Sequence, residues 1–196
     1  MTEIEFPFRR AIPDDAAQLA QFVNVAGEGL PLYLWEKMAE SGQSAWDVGC
    51  ERARRNEGGF SYRNAILRME GAKLVSCLIG YPLNDEPPGA DLKGLPPMFV
   101  PLQALEDQVA GTWYINVVAT LKGYRGHGYG SGLLNLAERI AISLRKRGLS
   151  LIVADSNVSA RALYQRSGFR EIDSRPMVKE EWKHPGQKWI LMAKDL

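Results

Sequence analysis

The stretch Trp113-Tyr114-Ile115-Asn116-Val117-Val118-Ala119-Thr120, continued by Leu121-Lys122-Gly123-Tyr124-Arg125-Gly126-His127-Gly128-Tyr129-Gly130-Ser131-Gly132-Leu133-Leu134, joins an apolar strand to an amphipathic helix through a glycine-rich turn. Glycines at 126, 128 and 130 remove the Cβ atoms that would hold a ligand off, so successive backbone N–H groups can converge on an anion. The helix that follows adds its unpaired first-turn donors and the positive end of its dipole. The stretch reads as a phosphate-holding turn.

Spacing excludes two common phosphate loops. A Walker A loop counted from Gly123 requires lysine where Tyr129 stands, and a dinucleotide fingerprint requires glycine where Ser131 or Leu133 stands. Arg-x-x-Gly-x-Gly does fit, as Arg125, Gly128 and Gly130. A second segment, Asn157-Val158-Ser159-Ala160-Arg161-Ala162-Leu163-Tyr164-Gln165-Arg166-Ser167-Gly168-Phe169, follows the short apolar strand Leu149 to Ala154. The first segment resembles the acetyl-CoA pyrophosphate loop of the GCN5-related N-acetyltransferases (GNAT). The second is similar to that family's Asn-x-x-Ala-x-x-Leu-Tyr-x-x-x-Gly-Phe motif at every specified position. The resemblance covers about residues 110 to 175.

The pattern along the chain predicts a first strand over 4–10, a helix from Pro13-Asp14-Asp15 closed by Gly27 and Gly29, and a second helix carrying Leu30, Leu34, Trp35 and Met38. Ser44 caps a third helix ending near Arg55. Strands over 62–70 and 73–81 form an antiparallel hairpin around Glu70-Gly71-Ala72. Six of the eleven prolines fall within 82–111 (Pro82, Pro87, Pro88, Pro96, Pro97, Pro101), which makes this a proline-rich insertion with at most one short helix over 102–109. A helix from Gly128 to Arg147 ended by Gly148 follows, then a strand over 149–154, a helix over 158–167 closed by Gly168, and strands near 169–178 and 188–193. The expected fold is α/β, a single domain over 1–196. It has the three-layer GNAT-like arrangement, with a mixed, largely antiparallel central sheet and helices on both faces.

The resemblance assigns roles residue by residue. It implies that backbone N–H groups of Arg125, Gly126, His127, Gly128, Tyr129 and Gly130 bind the pyrophosphate of acetyl-CoA as cosubstrate. It places Val118, Ala119 and Thr120 along the pantetheine arm, and has the Asn157 side chain hydrogen-bond that arm. Tyr164 corresponds to the tyrosine that faces the thioester sulfur. A phenol with an ordinary pKa near 10 is protonated at neutral pH and can donate to a departing thiolate. Taken alone, Asn157 also suits a helix N-cap, and Tyr164 also suits a core position.

The reaction implied is direct attack by an acceptor amine on the acetyl carbonyl, with a backbone N–H near Val118 stabilising the oxyanion. An alkylamine is less than about one part in a thousand neutral at pH 7, so a proton must leave first. Histone-acetylating relatives carry a glutamate where this chain has Tyr114. Glu28, Glu36, Glu106, Asp107 and Asp155 are the other carboxylates considered as base. Lys122, Arg125 and His127 cluster at the turn, where cations suit phosphate. The alternative to an enzyme is a non-catalytic acyl-CoA-binding module on the same fold.

Composition excludes other classes. Lys plus Arg is 24 against 23 for Asp plus Glu, so there is no basic excess of the kind that binds nucleic acid or an anionic membrane. The first residues lack a secretory signal, which gives a cytoplasmic expectation. Cys50 and Cys77 are isolated, and the two histidines, His127 and His184, stand far apart, so neither a disulfide nor a metal site is expected. Partners are then acetyl-CoA and an amine acceptor; dimers are common in the family that the chain resembles, so a homodimer is one possible state, and the sequence leaves the oligomeric state open.

Overall fold

The computed structural model describes residues 3–87 and 94–196, so Pro88, one of the prolines of the 82–111 connection, lies outside the described residues. Among the described residues, seven strands form one sheet in the order β1-β2-β3-β4-β5-β7-β6. The strands are β1 (Phe8–Arg10), β2 (Ala65–Glu70), β3 (Lys73–Pro82), β4 (Trp113–Thr120), β5 (Gly148–Ala154), β6 (Arg170–Pro176) and β7 (Lys188–Asp195). The helices are α1 (Ala16–Ala26), α2 (Leu30–Met38), α3 (Ala45–Arg54), α4 (Val100–Glu106), α5 (Tyr129–Ser143) and α6 (Val158–Arg166). The β1/β2, β2/β3, β5/β7 and β6/β7 ladders are antiparallel and β4/β5 is parallel, giving the mixed, largely antiparallel α/β sheet expected from the sequence. The chain divides into two compact units. Thr2–Tyr81 with Asn116–Leu133 makes the amino-terminal unit, and Pro82–Ile115 with Leu134–Leu196 makes the carboxy-terminal one.

In the amino-terminal unit, caps written in the sequence set the helix starts. Ser44 Oγ accepts the Asp47 N–H at 3.2 Å while the Asp47 carboxylate accepts the Ser44 N–H at 3.0 Å, closing a capping box on α3. Asp15, ahead of α1, accepts from the Ile12 N–H at 2.8 Å and pairs with Arg9 at 2.7 Å. The Arg9 hydrogen bond holds the Asp15 carboxyl below the usual carboxylate range. Gly27 closes α1, and Gly29, at φ 89°, opens α2 in a left-handed conformation that costs glycine little. A Cβ at Gly49 would lie 2.6 Å from the Trp35 ring, so glycine in α3 is what admits that indole. The core gathers Leu19 and Phe22 from α1, Leu67 from β2, Cys77 from β3 and Val117 and Ala119 from β4. Burial pushes the Cys77 thiol upward, making it an unreactive core group.

In the carboxy-terminal unit, Trp113–Ile115 of β4 pair in parallel with Leu149–Leu151 of β5. Thr112 and Ser150 share a buried hydroxyl hydrogen bond of 2.7 Å beside that ladder. Leu105 and Val109 pack with Leu191 of β7. Trp182 stacks with His184, at 4.4 Å, and with Trp189, at 6.1 Å.

Several boundaries depart from the sequence reading. The first strand begins at Phe8 rather than Ile4, and Tyr62–Asn64 is a 3-10 turn held by Ser61, whose Oγ accepts the Arg63 N–H at 3.2 Å. Helix α5 ends at Ser143, not Arg147. Arg145, at φ 55°, occupies the left-handed position, and the N–H groups of Arg145 and Lys146 return to Ile142 and Ala141 at 2.9 and 3.0 Å. Gly148 is therefore no helix terminator. It opens β5, where a Cβ would stand 2.5 Å from the Lys194 carbonyl oxygen. Lys146 and Arg147, given no role in the sequence reading, fasten the two ends of the proline-rich connection. Lys146 donates to Leu83 O at 2.8 Å and pairs with Asp85 at 2.9 Å, and Arg147 donates to Ala110 O at 2.7 Å.

Candidate active site

The glycine-rich turn lies wholly in the amino-terminal unit, between β4 and α5. A 3-10 turn over Lys122–Tyr124 leads to Arg125, whose Nε donates to Thr120 O at 3.1 Å and closes the loop at its base. Gly126 and Gly128 have φ of 82° and 76°, and a Cβ built on either meets nothing within 4 Å. Glycine is needed at both for the left-handed backbone, and the space beyond each stays open. The Gly128 carbonyl accepts the first helical bond, from Gly132 N–H at 3.0 Å. Among the described residues, the N–H groups of Gly126, His127, Gly128, Tyr129 and Gly130 have no acceptor within the protein. Five donors at a helix start, on an exposed loop beside Lys122, Arg125 and His127, make an arrangement that fits a pyrophosphate.

Strand β4 separates its two faces here. Val117 and Ala119 are buried in the core, whereas Val118 and Thr120 are half-buried and Asn116 is exposed. Ala119 can therefore offer a ligand its peptide but not its side chain. The β4/β5 ladder contains Trp113, Tyr114 and Ile115 and none of Val118, Ala119 and Thr120.

Asn157 and Tyr164 lie in the carboxy-terminal unit. Asn157 is the N-cap of α6, its Oδ1 accepting from Ala160 N–H at 3.2 Å, so the carbonyl end of the amide is occupied and the NH2 end remains for a ligand. Tyr164 is 8% exposed, with its ring 5.9 Å from Phe169. Gly168, at φ 92°, turns the chain after α6, and the Phe169 N–H returns to Tyr164 O at 3.0 Å. The second motif thus builds its own helix cap, helix end and ring packing.

The carboxylates considered as base separate by surroundings. Asp155 is pushed up by burial, but backbone donors from Gln187, Lys188 and Ser156 together with the Arg161 charge hold it below its ordinary value. It also accepts the Gln187 N–H at 2.9 Å, a structural engagement that makes it a poor proton acceptor. Glu106 is raised by burial and then by the neighbouring Asp107 charge. Tyr114 is buried in β4.

Two residues without a signature in the sequence stand at the turn. Tyr129, the first residue of α5, donates its hydroxyl to Glu70 Oε2 at 2.5 Å, and the Arg68 guanidinium lies 4.2 Å from the Tyr129 ring centroid. Both partners come from β2, 59 residues before Tyr129 in the case of Glu70, and only the folded sheet brings them there.

No helix among the described residues is long and apolar enough to cross a membrane. Residues 32–169 match the model of the Acetyltransferase (GNAT) family. No curated protein matches the sequence. Among solved structures, the crystal structure of an acetyltransferase is 21% identical, with 96% of this chain and 98% of that chain covered and a TM-score of 0.64. An N-acetyltransferase from Staphylococcus aureus Mu50 is 19% identical, with 95% and 98% covered and a TM-score of 0.62. A GNAT family acetyltransferase from Elizabethkingia anophelis with acetyl-CoA bound is 20% identical, with 67% and 75% covered and a TM-score of 0.51. These structures agree with the chain in fold, and the family match includes both motifs, running from α2, well ahead of them, through the turn and α6 to Phe169. The chain belongs to the Acetyltransferase (GNAT) family and is an acetyltransferase.

Proposed function

We propose that the protein is an acetyl-CoA-dependent N-acetyltransferase that acts on a primary amine of a small molecule or protein by direct attack. The observation that carries this reading is the head of α5, where five consecutive N–H groups have no acceptor among the described residues. Those donors hold the pyrophosphate, while the Arg125 N–H, also expected there from the sequence, already donates to Lys122 O at 3.5 Å. Peptide groups of Val118, Ala119 and Thr120 pair with the pantetheine arm, and the Asn157 NH2 donates to it. When bound, acetyl-CoA supplies an acetyl group already activated as a thioester.

The remaining work falls to the chain. Tyr164 holds a proton on its hydroxyl at neutral pH and delivers it to the departing sulfur. An N–H near Val118 is aimed at negative charge as it develops on the acetyl oxygen. With tyrosine at 114, no carboxylate stands at the relatives' base position, and the amine loses its proton to water. The test is to incubate purified protein with acetyl-CoA and a broad amine panel and to measure free thiol. Amine-dependent thiol release is the expected result. Undiminished acetyl-CoA binding with no thiol release for any amine would instead assign a binding module.

A further inference from the structure

We propose that Tyr129 is a positioning residue: its side chain, held by Glu70 and Arg68 of β2, fixes the direction of the phosphate-binding N–H groups at the head of α5. The inference rests on the pyrophosphate assignment above. Between Arg125 and Tyr129 the loop holds itself weakly. His127 Nδ1 meets Arg125 O at 3.0 Å, and two of its glycines sit at positive φ. Glycine-rich backbone with unpaired donors loses much conformational freedom when it closes on an anion, and that cost reduces affinity unless the loop is already ordered.

Tyr129 meets this need because it follows Gly128 directly and is held from three directions. Its hydroxyl bonds Glu70 at 2.5 Å, the Arg68 guanidinium lies 4.2 Å from its ring centroid, and the His127 ring stacks on it at 5.7 Å. Arg68 is in turn 5.5 Å from the Phe8 ring, and Phe8 and Arg68 are register partners on β1 and β2. Arg68 Nε is buried without a hydrogen-bond partner among the described residues, so aromatic rings rather than an acceptor at that nitrogen set its place. The arrangement also answers an electrostatic problem. A carboxylate near a phosphate site repels the ligand, but here the Glu70 charge is engaged by a phenol with a guanidinium close to the same ring. The Glu70 hydrogen bond holds the Tyr129 hydroxyl above its ordinary pKa, so it stays a donor.

The test is a double-mutant cycle of Tyr129→Phe and Glu70→Ala. It reads the Kd for coenzyme A by calorimetry, the thermal midpoint of the ligand-free protein, and KM for acetyl-CoA and for the amine separately. Each single change is expected to raise the coenzyme A Kd about three- to tenfold, the range one hydrogen bond supplies. The double change should be no weaker than the singles, and Glu70→Gln, which keeps an acceptor oxygen, should fall between wild type and Glu70→Ala. KM should rise for acetyl-CoA alone, with the midpoint unmoved. Wild-type affinity in both singles, additive losses, or a midpoint drop that tracks the affinity would each overturn the proposal. Gly128→Ala in parallel separates the two readings. If it abolishes binding while the singles bind normally, only the tether is wrong; if it too binds normally, the pyrophosphate assignment falls and takes the tether with it.

Discussion

Two strand-to-helix junctions carry the motifs, and they start their helices in opposite ways. At β4 to α5 the cap is Gly128, which has no side chain, and the first-turn N–H groups have no acceptor among the described residues. At β5 to α6 the cap is Asn157, whose own Oδ1 takes the Ala160 N–H. A helix start that its sequence does not satisfy needs a partner from outside, whereas a satisfied one leaves only side chains to do chemistry. On the function proposed above, the first junction therefore works through backbone, and the second through the Asn157 amide and the Tyr164 hydroxyl.

That division can be broken most sharply at Tyr164. Phenylalanine keeps the ring against Phe169 and removes the hydroxyl, so Tyr164→Phe should lower kcat by roughly 10- to 10⁴-fold with little change in acetyl-CoA affinity. An unchanged kcat at saturating substrates would return Tyr164 to a packing role. At the first junction, Gly128→Ala should weaken acetyl-CoA binding at least about a hundredfold, enough to cut a ligand-induced stabilisation of about 2.7 kcal/mol to about 0.4 kcal/mol or less. Gly42 supplies the control, since it has φ 83° and equally open space in the same unit, so Gly42→Ala carries the same backbone strain. Equal ligand-induced thermal shifts in the two variants would show that strain, not the cradle, is being measured.

Asn157 offers a finer cut. Asn157→Ala should cost about 1 kcal/mol of stability through the lost cap, while Asn157→Ser keeps a capping oxygen and discards the NH2 donor. Chemical denaturation and acetyl-CoA titration of the pair should then separate: serine stable but weaker in binding, alanine deficient in both. Serine with full affinity would leave Asn157 only its cap.

The smallest effect concerns Glu106. A carboxyl whose folded pKa lies above its unfolded value binds more protons when folded, so stability falls as pH rises from the unfolded pKa, about 4.3, through the folded one. Denaturation midpoints of Glu106→Gln across that window should lack the decline and exceed wild type above it. The same slope in both proteins would remove burial as the cause.

Local chemistry made much of this legible without coordinates. Ser44, Gly27 and Gly29, and Gly168 are each readable because a cap or a positive φ is a demand of a few neighbouring residues. The end of α5 departs from the sequence pattern for the same reason. Gly148 looks like a helix terminator, yet arginine at 145 takes the left-handed position, and glycine at 148 answers to Lys194 on the neighbouring strand. The family match itself begins at Leu32, far ahead of the two motifs, where the sequence carries no recognisable signature.

By itself the sequence determined the two motifs, their order, the α/β class and the caps that start α3 and α6, because each is set by backbone preferences and hydrogen bonds spanning a few residues. Only the tertiary structure decided which motif residues are already engaged. It also decided that Lys146 and Arg147 close the proline-rich connection, and that Tyr129 is held from β2. Those pairings join residues tens of positions apart, and nothing in a local pattern encodes them, because their partners meet only when strand register and helix packing bring distant side chains into contact.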